Sequence, residues 1–387
     1  MMTDTILIFR DYYLPGYKSG GPVQSLANLV GHLGDDFRFK IVTADRDEGD
    51  TAPYDSVELN AWNQVGKAEV FYLSAADNIA LAMHRLLNET DYDLAYYNSF
   101  FSANYTILPL LLRRFGLAPK VPAVVAPRGE FSESALQLKA AKKNAFLTAA
   151  KVLGLYSDVT WHASDEEELA QIQRVFGPQV HVGVAGVPLP HLESPQVPED
   201  RRPKRKGELR VGYLGRVSPI KNIDFALDVL GEISKGAVSF DIYGPLSDVE
   251  YHKRCERVAD RLPEHVTATF HGALPHPQVQ ETLRQYDVMF LPSKSESFGH
   301  AILESLMAAC PVLIGQATPW RELEQKQAGW DITLDDRETF VDVLERLVEM
   351  GPDQFERLQR GARQLAFDTI FADDTASEYR DLFAAAL

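Results

Sequence analysis

Short runs of apolar, β-branched or aromatic residues alternate with longer helical patterns along nearly the whole chain. This alternation is typical of strand and helix units built around parallel sheets. A first series of predicted strands begins with TILIF and continues through FKIVTA, AEVFYL, DLAYYN, AVVAP, DVTWHAS and HVGVAGV. A second series begins with LRVGYLG and continues through FDIYGP, TATFHG, DVMFLPS and PVLIG. The pattern predicts two doubly wound α/β domains.

A stretch of prolines and charges separates the two series. This stretch, HLESPQVPEDRRPKRKG, has no apolar period and predicts an exposed connection. After Trp330 the chain shows three helical patterns with no strand between them. We therefore expect an amino-terminal domain at residues 1–190, a linker at 191–207, a carboxyl-terminal domain at 208–370 and a last helix at 371–387.

Length and composition agree with a folded, multidomain protein. At roughly 150 residues per domain, 387 residues predict two to three domains. The charge, 39 − 55 = −16, argues against nucleic acid as the main partner. Two cysteines are too few for a disulfide framework, and their spacing does not suit zinc. The first apolar run is too short for a secretory signal, and no run would span a bilayer. We expect a cytoplasmic protein, at most peripheral at the inner face of the plasma membrane.

Two facing parallel-sheet domains would form a cleft at the carboxyl ends of their strands, where open α/β sheets bind ligands. In the second series, Arg216 follows a strand directly, and Lys221 lies at a helix start. Two cations beside the positive end of a helix dipole suit an anion. The alternative is that both are solvated surface residues, which are common for Arg and Lys.

A second cluster lies in the segment from DVMFLPS to PVLIG. Glu296 ends a loop, Phe298, Gly299 and His300 open a helix, and Glu304 lies on its second turn. A helix start presents backbone N–H groups without intrahelical partners, and a glycine there lets a phosphate approach the backbone. The alternative is that Glu296 only complements the helix dipole and that Glu304 is a surface residue.

The second half resembles the carboxyl-terminal domain of glycosyltransferase family 4, retaining enzymes with the GT-B architecture of two facing Rossmann-like domains. The matching positions are Gly215, Arg216, Lys221, the turn Tyr243 to Pro245, His271, Gly272, Glu296 and Glu304. The resemblance implies that Arg216 and Lys221 hold the donor diphosphate and that Glu296 contacts the donor sugar. It also implies that Glu304 binds the nucleotide ribose.

The first half resembles the family in two places. Gly20 and Gly21 stand between the first strand and the first helix, where family members have a glycine loop beside the donor phosphates; a tight turn is the simpler interpretation. Arg128, with Gly129 and Glu130, follows the strand AVVAP and resembles the PRG segment of bacterial polysaccharide-assembling members. The resemblance implies a phosphate or sugar contact for Arg128 and an acceptor contact for Glu130.

Other polar groups that follow strands are weaker candidates. Asn98 follows the strand DLAYYN and could line the acceptor side or belong to a plain loop. Ser164 with Glu167 fits a helix capping box, so a structural role is preferred. The acidic triplet at residues 91–93 precedes a strand rather than following one, which excludes it as a metal site.

The reaction implied is transfer of a hexose from a nucleotide-diphosphate sugar to a glycan or lipid-linked acceptor, with retention and with no metal or other cofactor required. The helix LQLKAAKKNAFLTAAKVLGL carries Lys139, Lys142 and Lys143, which could contact anionic lipid head groups. A half-buried helix with a solvated lysine face is the alternative. As in the family, the last helix, with Tyr379 and Phe383 on its apolar face, is expected to cross back onto the first domain.

Two other functional classes stay open from sequence alone. A nucleotide-sugar epimerase can share this architecture, and a degenerate member could bind nucleotide without catalysis. Loss of one of the four charged donor-site residues would be the sign of degeneracy, and all four are present.

Overall fold

The structure is a computed structural model that describes residues 3–137 and 140–387. These residues form two units. The described residues up to Pro190, together with Asp373–Leu387, form unit 1, and His191–Ala372 form unit 2. Each unit contains one sheet covered by helices.

The sheet of unit 1 has eight strands in the order β3-β4-β2-β1-β5-β6-β7-β8. Its strands are β1 Thr5–Phe9, β2 Arg38–Ala44, β3 Trp62–Val65, β4 Ala68–Leu73, β5 Leu94–Tyr97, β6 Ala123–Val125, β7 Thr160–Ala163 and β8 Val182–Val184. Among the described strands of this sheet, only β3 pairs in the antiparallel direction, against β4. The helices are α1 Gly21–Leu33, α2 Ile79–Glu89, α3 Leu108–Arg114, α4 Glu133–Gln137, α5 Ala140–Val152, α6 Glu166–Phe176 and α13 Thr375–Ala386, with a π-helical turn at Ala103–Ile107.

Helices cover both faces of this sheet, which explains why its central strands are apolar at successive positions. Alternate residues of a strand face opposite sides. Ile6 and Ile8 of β1 pack in a core with residues of α1 and α13, whereas Leu7 and Phe9 pack in a second core with residues of α2 and α6.

The sheet of unit 2 has six parallel strands in the order β11-β10-β9-β12-β13-β14. Its strands are β9 Glu208–Leu214, β10 Ala237–Tyr243, β11 Val266–Gly272, β12 Val288–Leu291, β13 Val312–Gly315 and β14 Gly329–Ile332. The helices are α7 Ile223–Leu230, α8 Val249–Ala259, α9 His276–Leu283, α10 His300–Met307, α11 Arg337–Glu349 and α12 Pro352–Phe371. The predicted pair of Rossmann-like parallel sheets is confirmed.

Each sheet has a point where the strand order reverses. In unit 1 it lies between β1 and β5, and in unit 2 between β9 and β12. Open α/β sheets bind ligands outside the carboxyl ends of the strands at such a point. Each unit therefore has one favoured position for a site.

Two expectations from the sequence need correction. The strands β3 and β14 were not predicted; both have only four residues, and β14 begins just before the position where only helices were expected. Residues 191–207 are not a freely exposed connection, because Arg201 donates to the carbonyls of Ala308 and Tyr286, and Lys204 is buried. Within 136–155 the structure describes the end of α4, up to Gln137, and all of α5, Ala140–Val152, and Lys139 lies outside the described residues.

Candidate active site

In unit 2, the loop that follows β9 lies at the reversal point of the sheet. Gly215 leaves β9, and its backbone runs so close to Gly244 that a Cβ on Gly244 would lie 1.9 Å from the Gly215 carbonyl oxygen. The buried Tyr213 hydroxyl donates to the Arg216 carbonyl at 3.0 Å. These contacts fix the backbone at Arg216, whose exposed side chain makes no hydrogen bond or ion pair within the part of the chain that the structure describes.

The loops after β9 and after β12 meet through an ion pair. The Lys221 ammonium contacts Glu296 Oε1, and Ser293 Oγ donates to the same oxygen at 2.6 Å. Backbone hydrogen bonds support the pair, from Lys294 N to the Ile220 carbonyl at 2.8 Å and from Glu296 N to the Ala317 carbonyl at 2.9 Å. Both charged side chains are mostly buried, at 17% and 11% exposure, so water screens their attraction less than on an open surface.

The start of α10 follows directly. Gly299 is the N-cap residue and adopts a left-handed conformation with φ 84° that favours glycine. The indole Nε1 of Trp320 donates to the Phe298 carbonyl at 2.7 Å, and the Phe298 ring packs against the rings of Trp320 and His300. The first turn of α10 contains no acidic residue, so no carboxylate of that turn neutralises the positive end of the helix dipole.

Glu304 lies on the second turn of α10 with 16% of its side chain exposed. His276, the first residue of α9, lies 3.3 Å from its carboxylate. Gln280 donates to the Glu304 backbone carbonyl at 3.0 Å, which ties α9 to α10. One carboxylate oxygen of Glu304 thus has a neighbour, and the other makes no hydrogen bond to a described residue.

The turn after β10 and the end of β11 form a smaller cluster beside this site. The Tyr243 ring stacks on the His271 ring with centroids 4.6 Å apart, and His271 lies 2.6 Å from Asp241. The Tyr243 hydroxyl also contacts the Tyr286 hydroxyl at 2.9 Å. The two motif positions Tyr243 and His271 are therefore in direct contact with one another.

In unit 1, the candidate glycine loop precedes α1. Gly20 is the N-cap of α1 with φ 68°, and a Cβ placed on it would meet nothing within 4 Å. Gly21 is the first residue of the helix. The buried carboxylate of Asp47 accepts from the backbone N–H groups of Tyr17 and Lys18 at 2.7 and 3.0 Å, which anchors the loop. The space beside Gly20 is open to a ligand.

Arg128 follows β6 and is held by three hydrogen bonds. Its Nε donates to Asn98 Oδ1 at 2.8 Å, and its Nη2 donates to the hydroxyls of Tyr96 at 2.6 Å and Tyr379 at 2.9 Å. Arg128 and Gly129 both have positive φ, at 55° and 78°, a conformation that is strained for arginine.

The hydrogen bond from Arg128 to Tyr96 is continued by a hydrogen bond from Tyr96 to His162. His162 Nε2 lies 2.8 Å from the Ala185 carbonyl, an acceptor, so Nε2 carries the proton and Nδ1 accepts from the Tyr96 hydroxyl at 2.8 Å. Burial lowers the pKa of His162 well below its ordinary value, and the nearby Arg128 charge acts in the same direction. His162 is therefore neutral. Because its Nδ1 accepts a hydrogen bond from the Tyr96 hydroxyl, the Tyr96 oxygen is left to accept from Arg128.

Asn98 and Glu130 have positioning roles in this geometry. The Asn98 side chain accepts from Arg128, as above. Glu130 accepts from Ser99 Oγ at 3.0 Å and from the N–H groups of Phe100 and Phe101 at 2.5 and 3.0 Å. Burial raises the pKa of Glu130, against the effect of these hydrogen bonds. Both carboxylate oxygens thus hold the loop after β5, and the expected acceptor contact through Glu130 is not supported.

The expected capping box at Ser164 is displaced by one residue. Asp165 is the N-cap of α6 and accepts from Glu168 N at 2.7 Å. The buried Glu168 carboxylate accepts from Ser164 N at 2.7 Å and from Gly129 N at 2.5 Å. The shift matters because Glu168, rather than Glu167, stabilises the backbone beside Arg128.

The lysines expected to face lipid are differently placed. Lys142 is exposed, but the Lys143 ammonium donates to the Ala135 carbonyl at 2.7 Å and lies 4.7 Å from the centre of the Phe101 ring. Its charge is directed back onto unit 1. Lys139 lies outside the described residues.

Sequence reasoning missed residues that the structure brings to these clusters. Arg10 is not among the site residues predicted from the sequence, yet it follows β1 at the reversal point of unit 1. Its position after a buried strand was the available signal. Tyr379 and His276 gave no such signal, because their contacts with Arg128 and Glu304 join distant parts of the chain.

Two kinds of feature are absent from the described residues, 3–137 and 140–387. No group of three or more His, Cys, Asp or Glu side chains in these ranges could hold a metal ion. No helix among these residues is both long enough and apolar enough to cross a membrane.

Comparison with known proteins identifies the class of unit 2. Residues 197–365, less than half of the chain, match the family described as Glycosyl transferases group 1. Sulfoquinovosyl transferase of Arabidopsis thaliana is 24% identical over 105 residues, which are 27% of this chain and only 19% of that relative. The chain thus carries a Glycosyl transferases group 1 domain, and neither match favours the epimerase alternative.

Solved structures of low sequence identity share the fold. Sucrose-phosphate synthase from Thermosynechococcus elongatus has a TM-score of 0.69 at 16% identity, covering 99% of this chain and 100% of that chain. HepE from Anabaena, in complex with UDP and glucose, has a TM-score of 0.64 at 14% identity, covering 99% of each chain. These likenesses assign the chain the fold of GT-B glycosyltransferases.

Proposed function

We propose that this protein is a retaining glycosyltransferase of family 4 that transfers a hexose from a nucleotide-diphosphate sugar to a glycan or lipid-linked acceptor in surface polysaccharide biosynthesis. The observation that carries the proposal is the Lys221–Glu296 ion pair beside the start of α10, inside the matched transferase domain. The resemblance of the segment around Arg128 to polysaccharide-assembling enzymes supports the choice of pathway.

The donor lies at the reversal point of unit 2 in this proposal. Arg216 and Lys221 bind the diphosphate, with the N–H groups at the start of α10 as further donors. Glu296 holds the Lys221 ammonium in the free protein and accepts from sugar hydroxyls when the donor is bound. Glu304 accepts from the ribose hydroxyls, which its partly buried position beside His276 supports.

Catalysis then depends on the charge of the leaving group. Negative charge grows on the diphosphate as the bond to the anomeric carbon breaks, and the cations at Arg216 and Lys221 stabilise it without the need to reorganise. We assign this role to the side chains and the helix, with no metal or other cofactor. A departing phosphate oxygen accepts the proton of the acceptor hydroxyl as that hydroxyl attacks from the same face, so the configuration is retained.

A uridine diphosphate sugar is the first donor to test, because HepE shares the fold and was solved with UDP and glucose. Released nucleoside diphosphate, followed with and without acceptor, measures transfer. The configuration of the new linkage, read by nuclear magnetic resonance, tests retention. An inverted product would refute the same-face route, and an isomerised sugar from donor alone would indicate an epimerase instead.

We also propose a cytoplasmic location with peripheral contact to an anionic membrane. The surface that supports it joins the ends of α3 and α5, where Arg114 Nε donates to the Leu153 carbonyl at 2.8 Å. Four large apolar side chains are exposed there: Phe115, Leu117, Val152 and Leu153. Apolar side chains beside arginine suit a bilayer that carries negative head groups. This surface replaces Lys143 as the main contact.

Vesicle flotation tests the membrane contact. The double variant Phe115→Ser with Val152→Ser should lose binding to phosphatidylglycerol vesicles, while wild-type protein floats with them and not with phosphatidylcholine vesicles. Val249→Ser with Phe371→Ser is the matched control, because these apolar side chains are equally exposed on unit 2. Equal flotation of both double variants would reject this surface.

A further inference from the structure

Unit 1 contains a second pair of cations at its own reversal point. Arg10 follows β1, and Asn98 follows β5, the strand that pairs with β1. Arg10 Nη1 donates to the Asn98 backbone carbonyl, and Arg128 Nε donates to the Asn98 side-chain oxygen at 2.8 Å. One asparagine therefore joins two guanidinium groups at the position where an open α/β sheet binds its ligand.

Neither guanidinium has a carboxylate partner among the residues that the structure describes. No ion pair of Arg10 or Arg128 is formed with any described residue within 4.0 Å. Arg10 is only 9% exposed, and its Nε has no hydrogen-bond partner in the described part of the chain. Buried arginines are ordinarily paired, because an uncompensated charge away from water is costly.

The acidic residues nearby are already used. Both oxygens of Glu130 hold the loop after β5, and Glu168 holds the N–H groups of Ser164 and Gly129. Asp11 Oδ1 accepts from Ser102 Oγ at 2.8 Å. These carboxylates moderate the positive potential but form no direct contact with the two arginines. The site therefore has two cations, and no carboxylate of the described part of the chain is in direct contact with them.

The remaining hydrogen bonds hold Arg128 by one edge. Tyr96 and Tyr379 accept from Nη2, Asn98 accepts from Nε, and Nη1 makes no hydrogen bond to a described residue. The left-handed backbone of Arg128 costs free energy, so the surrounding contacts must hold it in place. An arginine held in this way presents a fixed donor edge, the geometry that recognises phosphate or carboxylate oxygens.

We propose that Arg10 and Arg128 form an anion-binding site in unit 1 that takes a phosphate group, distinct from the Arg216 and Lys221 cations of unit 2. Tyr379, on the last helix, is a positioning residue for this site through Arg128. The site itself stands on the contacts above; only the source of its phosphate, the acceptor or the donor diphosphate, rests on the proposed function.

Calorimetric titration of the full chain with inorganic phosphate tests the site without turnover. The titration is done twice, with and without saturating UDP, because phosphate could also bind the unit 2 cations. Arg10→Gln and Arg128→Gln should each weaken phosphate binding about tenfold or more, the loss expected for a charge-assisted hydrogen bond. Arg10→Lys keeps the charge and should retain most of the affinity.

Arg201→Gln is the matched control. Arg201 is a partly buried arginine of unit 2 that donates to two backbone carbonyls. The substitution therefore removes hydrogen bonds similar to those of Arg10, at a position distant from Arg10 in sequence. Its phosphate affinity should equal that of the wild type. Thermal unfolding of each variant shows whether a loss of binding is only a loss of folding.

The two titrations also identify the source of the phosphate. Binding that persists with UDP and disappears in Arg10→Gln assigns the site to an acceptor phosphate. Binding that UDP prevents and that still depends on Arg10 assigns it to the donor diphosphate. Phosphate affinity that is the same in wild type, Arg10→Gln and Arg128→Gln overturns the site, whether or not the protein transfers sugar.

Discussion

Lys221 and Glu296 come from loops after two different strands, 75 residues apart, and their side chains form a mostly buried ion pair in which Ser293 shares the carboxylate oxygen. The pair brings together a cation assigned to the diphosphate and a carboxylate assigned to the sugar. A bound donor would have to contact both.

Replacing Lys221 tests the diphosphate contact. Lys221→Gln removes one charge-assisted hydrogen bond and should weaken UDP binding roughly 10- to 100-fold. Lys294→Gln is the control, because this exposed lysine lies on the neighbouring loop and forms no ion pair within the described residues. Calorimetric titration with UDP measures both. Equal affinities would remove Lys221 from the donor site.

The close approach of Gly244 to Gly215 gives a second prediction. A Cβ at position 244 would overlap the Gly215 carbonyl, so Gly244→Ala must displace the loop that presents Arg216. We expect a loss of about 1–3 kcal/mol in the free energy of unfolding, together with weaker UDP binding. Gly351→Ala, at a glycine with open space around it, should change neither quantity. An unchanged Gly244→Ala protein would show that this approach is not tight.

The last helix should be essential for the stability of unit 1. Phe383 is fully buried and packs against Phe37 and Tyr96, whereas Phe371 at the end of α12 is 81% exposed. Phe383→Ala should therefore lower the free energy of unfolding by about 3–5 kcal/mol, and Phe371→Ala should leave it nearly unchanged. Chemical denaturation followed by circular dichroism measures the difference. A deletion of residues 373–387 should act in the same direction, and equal stabilities would contradict the packing.

His162 predicts how stability depends on pH. Its folded pKa is lowered by burial and by Arg128, so the unfolded chain binds a proton at a higher pH than the folded chain does. The contribution of neutral His162 to the free energy of unfolding is complete above the pKa of histidine in the unfolded chain, about 6.5. Below that pH it decreases by about 1.4 kcal/mol per pH unit, until the pKa of His162 in the folded protein is reached.

The variant His162→Gln isolates this effect. It removes the titrating ring, so the stability difference between wild type and variant should become smaller as the pH falls from 7 to 5. His191→Gln, at an exposed histidine, is the control. A difference that stays constant over this range would show that His162 does not remain neutral in the folded protein.

Much of the fold was predictable because buried parallel strands are apolar at successive positions. The same property could not reveal β14, in which Asp331 interrupts a short apolar run and accepts from Leu323 N at 2.9 Å. The hydrophobic pattern also predicted that three site residues follow strands, namely Arg216, Lys221 and Glu296.

The side-chain contacts of the unit 1 site could not be predicted from the hydrophobic pattern. Arg128 depends on a hydroxyl 251 residues away in sequence, and its left-handed backbone has no signature besides the following glycine. Glu130 resembled a ligand contact by its position after a strand, but the direction of its side chain is set by the loop at Ser99 to Phe101. Local patterns predict which residues reach the edge of a sheet; long-range contacts decide which of them face a ligand.

The most direct test of the central claim is release of nucleoside diphosphate from a panel of nucleotide sugars, uridine diphosphate sugars first, in the presence of candidate acceptors. Wild-type protein should release the diphosphate from at least one donor in an acceptor-dependent reaction. Glu296→Gln should lower the rate by about 10- to 100-fold, as loss of a charged hydrogen bond predicts, while the exposed control Glu281→Gln should not. Release that does not differ between wild type and Glu296→Gln would contradict the assignment of this site.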